Sequence, residues 1–490
     1  MTSPIWRAFF LAFALVGVAC SKRVPTEESL PPIKRVEAKT FDEALDDYFG
    51  GNPKSAAPKL YAYTKTMPPT DENYAWAQYF LAKSLIDLGL RHAGNVYLAK
   101  ISHERSNPAA LTRALEDLQA ATVRPHDEVM IEQQVFSALD LGFLPDETAA
   151  FAHYQQGLED LKSGNERWAA THFSKLPEAT RERSRAKFTL LVARLRDGRQ
   201  PADEMIDEFL KLSGDQKLTY EMRNEAMLAV ARLRYEQHNY DGALEAYDKV
   251  QLPPLDPGRA TLYLEEAWTR YQLGQIHQAM GLLTTLDAPS FREEFLPDKY
   301  LLRAAIYRDL CHYLPAKRAA KQLTRRFADS LETIREREDL SRDGRLLRAA
   351  RAHGPAMRAA KFLQSLNFEG ERLGRFSGSF GDRLYAHLTK LYDLAHAEAR
   401  RNYDKAIDDA LRAEADRLLR AAEQVRLMEY EVGIKLYERV KKGSKLVLPE
   451  EEKPLTTAQI AFPFEGEYWN DELRDYRFSL KSRCIEERAQ

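Results

Sequence analysis

Apolar side chains recur three and four residues apart along most of the chain, in stretches of helical length closed by Gly, Asn or Pro, and this spacing predicts helices. The clearest stretch reads AMLAVARLRYEQHNYDGALEAYDKVQLPP, in which Ala231, Tyr240, Ala243, Tyr247 and Val250 mark one side of two successive helices. The next, LYLEEAWTRYQLGQIHQAMGLLTTLDAP, sets Ala267, Ile276, Ala279, Leu283 and Leu286 in the same frame. A small residue lets two helix backbones approach, and a bulky one a turn away fills the groove beside it. Two stretches in register point to a repeated helix pair, which cannot bury its apolar face alone and must stack on its neighbours.

Other segments keep the frame with fewer matches. They supply Ala44, Gly51, Ala56 and Leu60; Leu90, Ala93 and Tyr97; Gly157, Gly164, Ala169 and Phe173; and Ala305, Tyr313 and Ala316. Residues 109–144 and 183–212 have the helical period without the frame and are expected to be divergent helical hairpins. Over residues 41–330 the pattern resembles the tetratricopeptide (TPR) repeat family. That resemblance implies a right-handed α-solenoid with a concave inner face, and so an all-α fold, but it says little about function.

From residue 331 to 442 the texture changes to long, charged helix with Pro355 as its one proline. Leu384, Leu388, Leu391, Leu394 and Ala395 are expected on one buried side, as in a coiled-coil-like hairpin or strut with solvated charged faces. Arg342, Arg345, Arg348, Arg351, Arg358 and Lys361, with Asp343 the acid among them, form a basic run that reads as a solvated helix face or as a contact for anionic headgroups or an acidic partner. Gly374, Gly378 and Gly381 predict a turn between helices. In residues 443–490, Ile460, Phe462, Phe464, Tyr468 and Trp469 cluster around Pro463 and Gly466. Leu473, Tyr476, Phe478 and Leu480 follow with helical period. So apolar an ending predicts a segment that docks, with a short helix, on the body or on a partner.

The start of the chain has a different pattern. Arg7 precedes an uncharged run from Ala8 to Ala19, and small residues lead to Cys20, the layout of a secretory signal over residues 1–19. The run is too short to span a bilayer, which takes about 20 apolar residues. The small-small-Cys ending resembles a bacterial lipobox, with Gly17 where leucine is usual. That resemblance implies acylation of Cys20 and, with Ser21 following, export to the outer membrane; the alternative is an ordinary signal with a chance cysteine. Residues 20–40 are proline-bearing and polar and read as a tether.

Charge and chemistry narrow the function. With 72 basic against 74 acidic side chains there is no electrostatic footprint for nucleic acid. Cys311 and Cys484 permit one disulfide in an oxidising compartment, although their spacing leaves open whether they meet. No zinc-protease, serine-hydrolase or phosphate-loop motif occurs, so no catalytic residue, metal ligand or cofactor is expected. Ser184 and Lys187 share a penicillin-recognising spacing without its companion motifs, and His92, His126 and His277 lack a second ligand at metal spacing.

The expected role is therefore contact with other envelope proteins. Candidate residues are Arg232, Arg234, Glu266 and Arg270, read as exposed on the first helices of the two best repeats, and Phe462, Phe464, Tyr468 and Trp469 of the ending. With the lipobox-like Cys20, the repeats and the stretch from Ala305 to Leu323, the layout resembles the TPR lipoproteins of the myxobacterial adventurous gliding machinery. This implies a non-enzymatic scaffold, held to the membrane by its lipid, in an envelope-spanning complex. The alternatives are an outer-membrane protein assembly factor of the same lipoprotein type, and a peptidoglycan hydrolase carrying a helical solenoid.

Overall fold

The computed structural model describes residues 30, 33, 35–138, 144–198, 200–253, 256–441, 466–469 and 473–484. Their regular structure is all-α, with no strand among the described residues. The signal expected in residues 1–19, Cys20 and the first part of the tether expected in residues 20–40 lie outside them, as do Phe462 and Phe464.

The chain divides into two compact units. The first comprises residues up to Ala121 together with Ser365–Ala397. It contains α1 (Lys39–Phe49), α2 (Pro53–Thr66), α3 (Tyr74–Asp87), α4 (Arg91–Glu104) and α5 (Pro108–Ala121), each packed on its neighbour in sequence. The second comprises Thr122–Gln364 and Glu398–Gln490. A π-helical stretch, Val129–Ser137, opens it; α6 (Asp146–Lys162), α7 (Glu166–Ser174), α8 (Arg181–Asp197) and α9 (Ala202–Ser213) follow. Next come α10 (Tyr220–Glu236), α11 (Tyr240–Tyr247), α12 (Gly258–Gln272), α13 (Ile276–Thr285), α14 (Asp298–Asp309), α15 (Tyr313–Arg326), α16 (Ala328–Arg335) and α17 (Gly344–Arg351). Two longer helices, α18 (Gly354–Gly374) and α19 (Gly381–Lys441), contribute residues to both units.

Six of the helix pairs share one turn. At Gly51, Gly89, Gly164, His238, Gly274 and Cys311 the backbone enters the left-handed region. In each case that residue's N–H reaches the carbonyl three back, and the next N–H reaches the carbonyl five back. For α10 into α11 these are His238 to Tyr235 at 3.0 Å and Asn239 to Arg234 at 2.9 Å. This arrangement satisfies the last carbonyls of the first helix before the second begins. Asn52 and Asn239 then cap α2 and α11 with their side chains.

The spacers expected from sequence are in the core: Ala44, Ala56, Ala93, Ala169, Ala231, Ala243, Ala267, Ala279 and Ala316 are all buried. Gly157 belongs with them, since a Cβ there would strike the ring of Phe173. Residues 183–212 form the pair α8 and α9, whereas 109–144 hold α5 and the π-helical stretch.

The charged half of the chain departs from the expected stripe. Leu384 and Leu388 are buried, but Tyr392 and Ala399 continue the face, and Leu394 is 64% exposed. A step of four from Leu388 lands on Tyr392, whose ring and hydroxyl suit a partly polar interior better than Leu391 or Leu394. Further along α19, Leu418, Ala421, Val425, Met428 and Val432 pack on Tyr313, Ala316, Ala320 and Leu323 of α15. The predicted glycine turn stands between α18 and α19, with Gly381 at φ +70°.

Candidate interaction surfaces

The four candidates on α10 and α12 have separate fates. Arg232 makes a two-pronged ion pair with Glu265, Nε to Oε2 at 3.0 Å and Nη2 to Oε1 at 2.7 Å, tying α10 to α12. Arg234 donates to the carbonyl of Gly242 at 2.8 Å, and Arg270 to the Gln275 side chain at 3.0 Å, so each braces the turn to its own partner helix. Glu266 is not exposed, contrary to expectation: its side chain has 0% accessibility. Arg474 covers it, with its Nη2 at 2.7 Å from Glu266 Oε1 and at 2.5 Å from Asp248 Oδ1. Burial pushes the Glu266 carboxyl up, and Arg474 pulls it only part of the way back.

Arg474 belongs to the ending, which docks but not as the expected helix. After a turn at residues 473–475 the backbone runs without helical structure through 483. Thr285 donates to the carbonyl of Leu473, the Phe478 N–H donates to the His277 carbonyl at 2.9 Å, and the Arg483 N–H to that of Leu310 at 3.0 Å. His312 Nε2 lies 2.6 Å from the Lys481 carbonyl. Gly281 makes the approach possible, because a Cβ there would collide with the Tyr476 carbonyl. An extended backbone can trade its polar groups with side chains and turn carbonyls beneath it; a helix would have kept them to itself. Leu473 joins the core around α12 and α13, and Leu480 is buried too. A disulfide between Cys311 and Cys484 fastens the end of this strap to the turn between α14 and α15, closing a loop of 173 residues.

Tyr468 packs half-buried on the same core, whereas Trp469 is 63% exposed. The basic run is mostly answered by acids: Arg345 by Asp329 at 3.5 Å, Arg348 by Glu293 at 2.9 Å and Arg358 by Glu128 at 2.7 Å. Asp343 caps α17. Ser184 donates to Asp215 at 2.5 Å while Lys187 pairs with Glu178 at 2.9 Å, so the two point to separate carboxylates. No group of three or more histidine, cysteine or acidic side chains is placed to hold a metal ion among the described residues.

Sequence reasoning missed an aromatic face on the first unit. Tyr48 and Phe49 end α1, and Trp76, Tyr79 and Phe80 lie on α3. Phe80 is the hub, its ring 5.4 Å from Tyr48 and Tyr79, 5.5 Å from Phe49 and 6.1 Å from Trp76. Tyr48 donates to Asp87 at 3.1 Å, and burial with that carboxylate pushes its hydroxyl up to about 12. Burial and the Asp117 carboxylate likewise raise Tyr79, and Lys83 holds Asp117 at 3.2 Å. The available signal was the pair of motifs DDYF and WAQYF, aromatics left over once each helix had filled its core positions.

No protein-family model and no curated protein matches this sequence.

Proposed function

We propose that the protein is a non-enzymatic scaffold of an envelope complex, tethered to the outer membrane through an acylated Cys20, with its helix pairs stacked as a right-handed TPR-like solenoid. The supporting observation is the turn repeated at six helix junctions, with small buried residues at matching places on either side. A repeated pair of this kind builds long helical faces, more of them than its own packing consumes, and such faces suit contact with other polypeptides. The resemblance noted from the lipobox-like start and the repeats makes gliding machinery the specific setting.

Deleting the gene and restoring it with Cys20→Ser tests the reading. The expected result is lost surface movement with normal levels of outer-membrane proteins, and release of the Cys20→Ser protein to the soluble periplasm. A general loss of outer-membrane proteins would favour an assembly factor instead, and altered wall fragments a hydrolase.

A further inference from the structure

The aromatic face of α1 and α3 has features that specify what it receives. Its rings are held before any partner arrives, because Tyr48 is bonded to Asp87 and Phe80 packs against four other rings. Phe49 stands outermost at 72% exposure, and Trp76 and Phe80 are half-buried beside it. Pre-set, half-buried aromatics are what the energetic centres of protein interfaces are made of.

Both signs occur around the rings, but the charge left outside ion pairs among the described residues is acidic. Helix α1 carries Asp42, Glu43, Asp46 and Asp47 against Lys39 alone. Asp47 is taken by Lys59 at 2.9 Å, and Lys39 turns to Glu37 at 3.0 Å. Asp46 and Asp42 lie one and two turns before Phe49, both exposed and neither in an ion pair among the described residues. Asp87 accepts from Tyr48 and is in no ion pair among the described residues. On α5, Glu116 and Asp117 are offset by Arg113 and Lys83.

We propose that this face binds a polypeptide segment of a partner protein in which arginine or lysine alternates with aliphatic or aromatic side chains. This deepens the scaffold reading above and rests on it. The apolar side chains would enter between Phe49, Trp76 and Phe80, and the cations would meet Asp42, Asp46 and Asp87 or lie over a ring. An acidic segment would be repelled, and so would an anionic lipid surface.

The test is selection from a displayed random-peptide library on the full mature chain, followed by affinity measurement with the synthesised winners. Winners should combine Arg or Lys with Leu, Phe or Trp. Phe49→Ala, and separately Asp42→Lys with Asp46→Lys, should each weaken them about tenfold or more. Trp168→Ala, at a different exposed ring, should leave them unchanged. Phe49 is so exposed that its removal does not threaten the fold. Acidic winners, or equal binding by Phe49→Ala, would overturn the proposal. A dimer in sedimentation that Phe49→Ala dissolves would also overturn it, giving the face to a second copy of the chain. If the wild type still captures envelope proteins while Phe49→Ala captures them equally, the scaffold reading stands and this face is excluded.

Discussion

Two helical faces, one in each unit, show opposite ways of finishing a stacked helix pair. On α13 His277, Gly281 and Thr285 form one lane, one residue per turn, and the chain's own strap lies along it and buries Gly281 and Thr285. On α1 and α3 the corresponding space is filled by rings, and no described segment lies over them. The difference is steric before it is functional. A glycine lane lets another backbone come within hydrogen-bonding distance, whereas projecting rings hold a backbone off and accept only side chains. The first face is suited to a permanent covering, the second to a partner that arrives by its side chains.

If the strap is a structural covering, removing its anchor should be costly. Arg474→Ala takes from the buried Glu266 the one cation that bonds to it and leaves only the more distant Arg270 charge, and breaking such a buried pair costs about 3–5 kcal/mol. Urea denaturation at neutral pH should show this loss, and it should shrink in acid as the carboxylate takes a proton. A change below about 0.5 kcal/mol would mean that the strap adds nothing to the body beneath it.

Severing the disulfide comes next. Cys311→Ala with Cys484→Ala frees a long loop in the unfolded chain, which lowers stability by about 2–4 kcal/mol. Amide exchange should quicken first at Phe478 and Arg483, whose N–H groups bond to His277 and Leu310, and leave α1 and α3 untouched. Faster exchange in α3 would remove the contrast between the two faces.

Acid should loosen the first unit from within. His92 on α4 is almost fully buried beside Tyr392 and His396, and burial, with the His396 charge, lowers its imidazole to about 4. The unfolded chain protonates near 6.5, so the contribution is complete above that value and is lost as pH falls toward 4, by up to about 3 kcal/mol. Glu369, which accepts from the Tyr392 hydroxyl at 2.6 Å and the His92 N–H at 2.8 Å, is raised by burial and works in the opposite direction. Exchange in α4 should therefore accelerate between pH 6.5 and 4, and His92→Leu should flatten that dependence.

How far these features could be read from sequence depends on the distance over which each is decided. The helix pairs and their alanine spacers were legible, because Ala231 with Ala243 and Ala267 with Ala279 are fixed by neighbours within one repeat. Two of the six turns were hidden, since His238 and Cys311 adopt the left-handed backbone in place of glycine. The strap was not legible as an extended segment: its period suits a helix, and only Gly281 and His277, some 200 residues earlier in the case of His277, decide otherwise. Glu266 was misplaced for the same reason, as its helix position is outward and Arg474 arrives from 208 residues away. The aromatic face was visible in DDYF and WAQYF, but repeat logic assigns rings to the core by default.

The smallest stability effect belongs to the aromatic face itself. Phe49→Ala removes a ring that is 72% exposed, so the folded state loses little apolar burial and stability should move by no more than about 0.5 kcal/mol. The contacts to Phe80 at 5.5 Å and Tyr48 at 5.4 Å contribute something, but water on the outer side of the ring offsets much of it. Thermal melts of Phe49→Ala and of Trp469→Ala, the exposed ring beside the strap, should both overlay the wild type. Peptide binding should separate them, weakened by the first and unaffected by the second. Were Phe49→Ala to cost more than about 1 kcal/mol, the ring would be part of the first unit's core, and the α1 and α3 face would resemble the covered one after all.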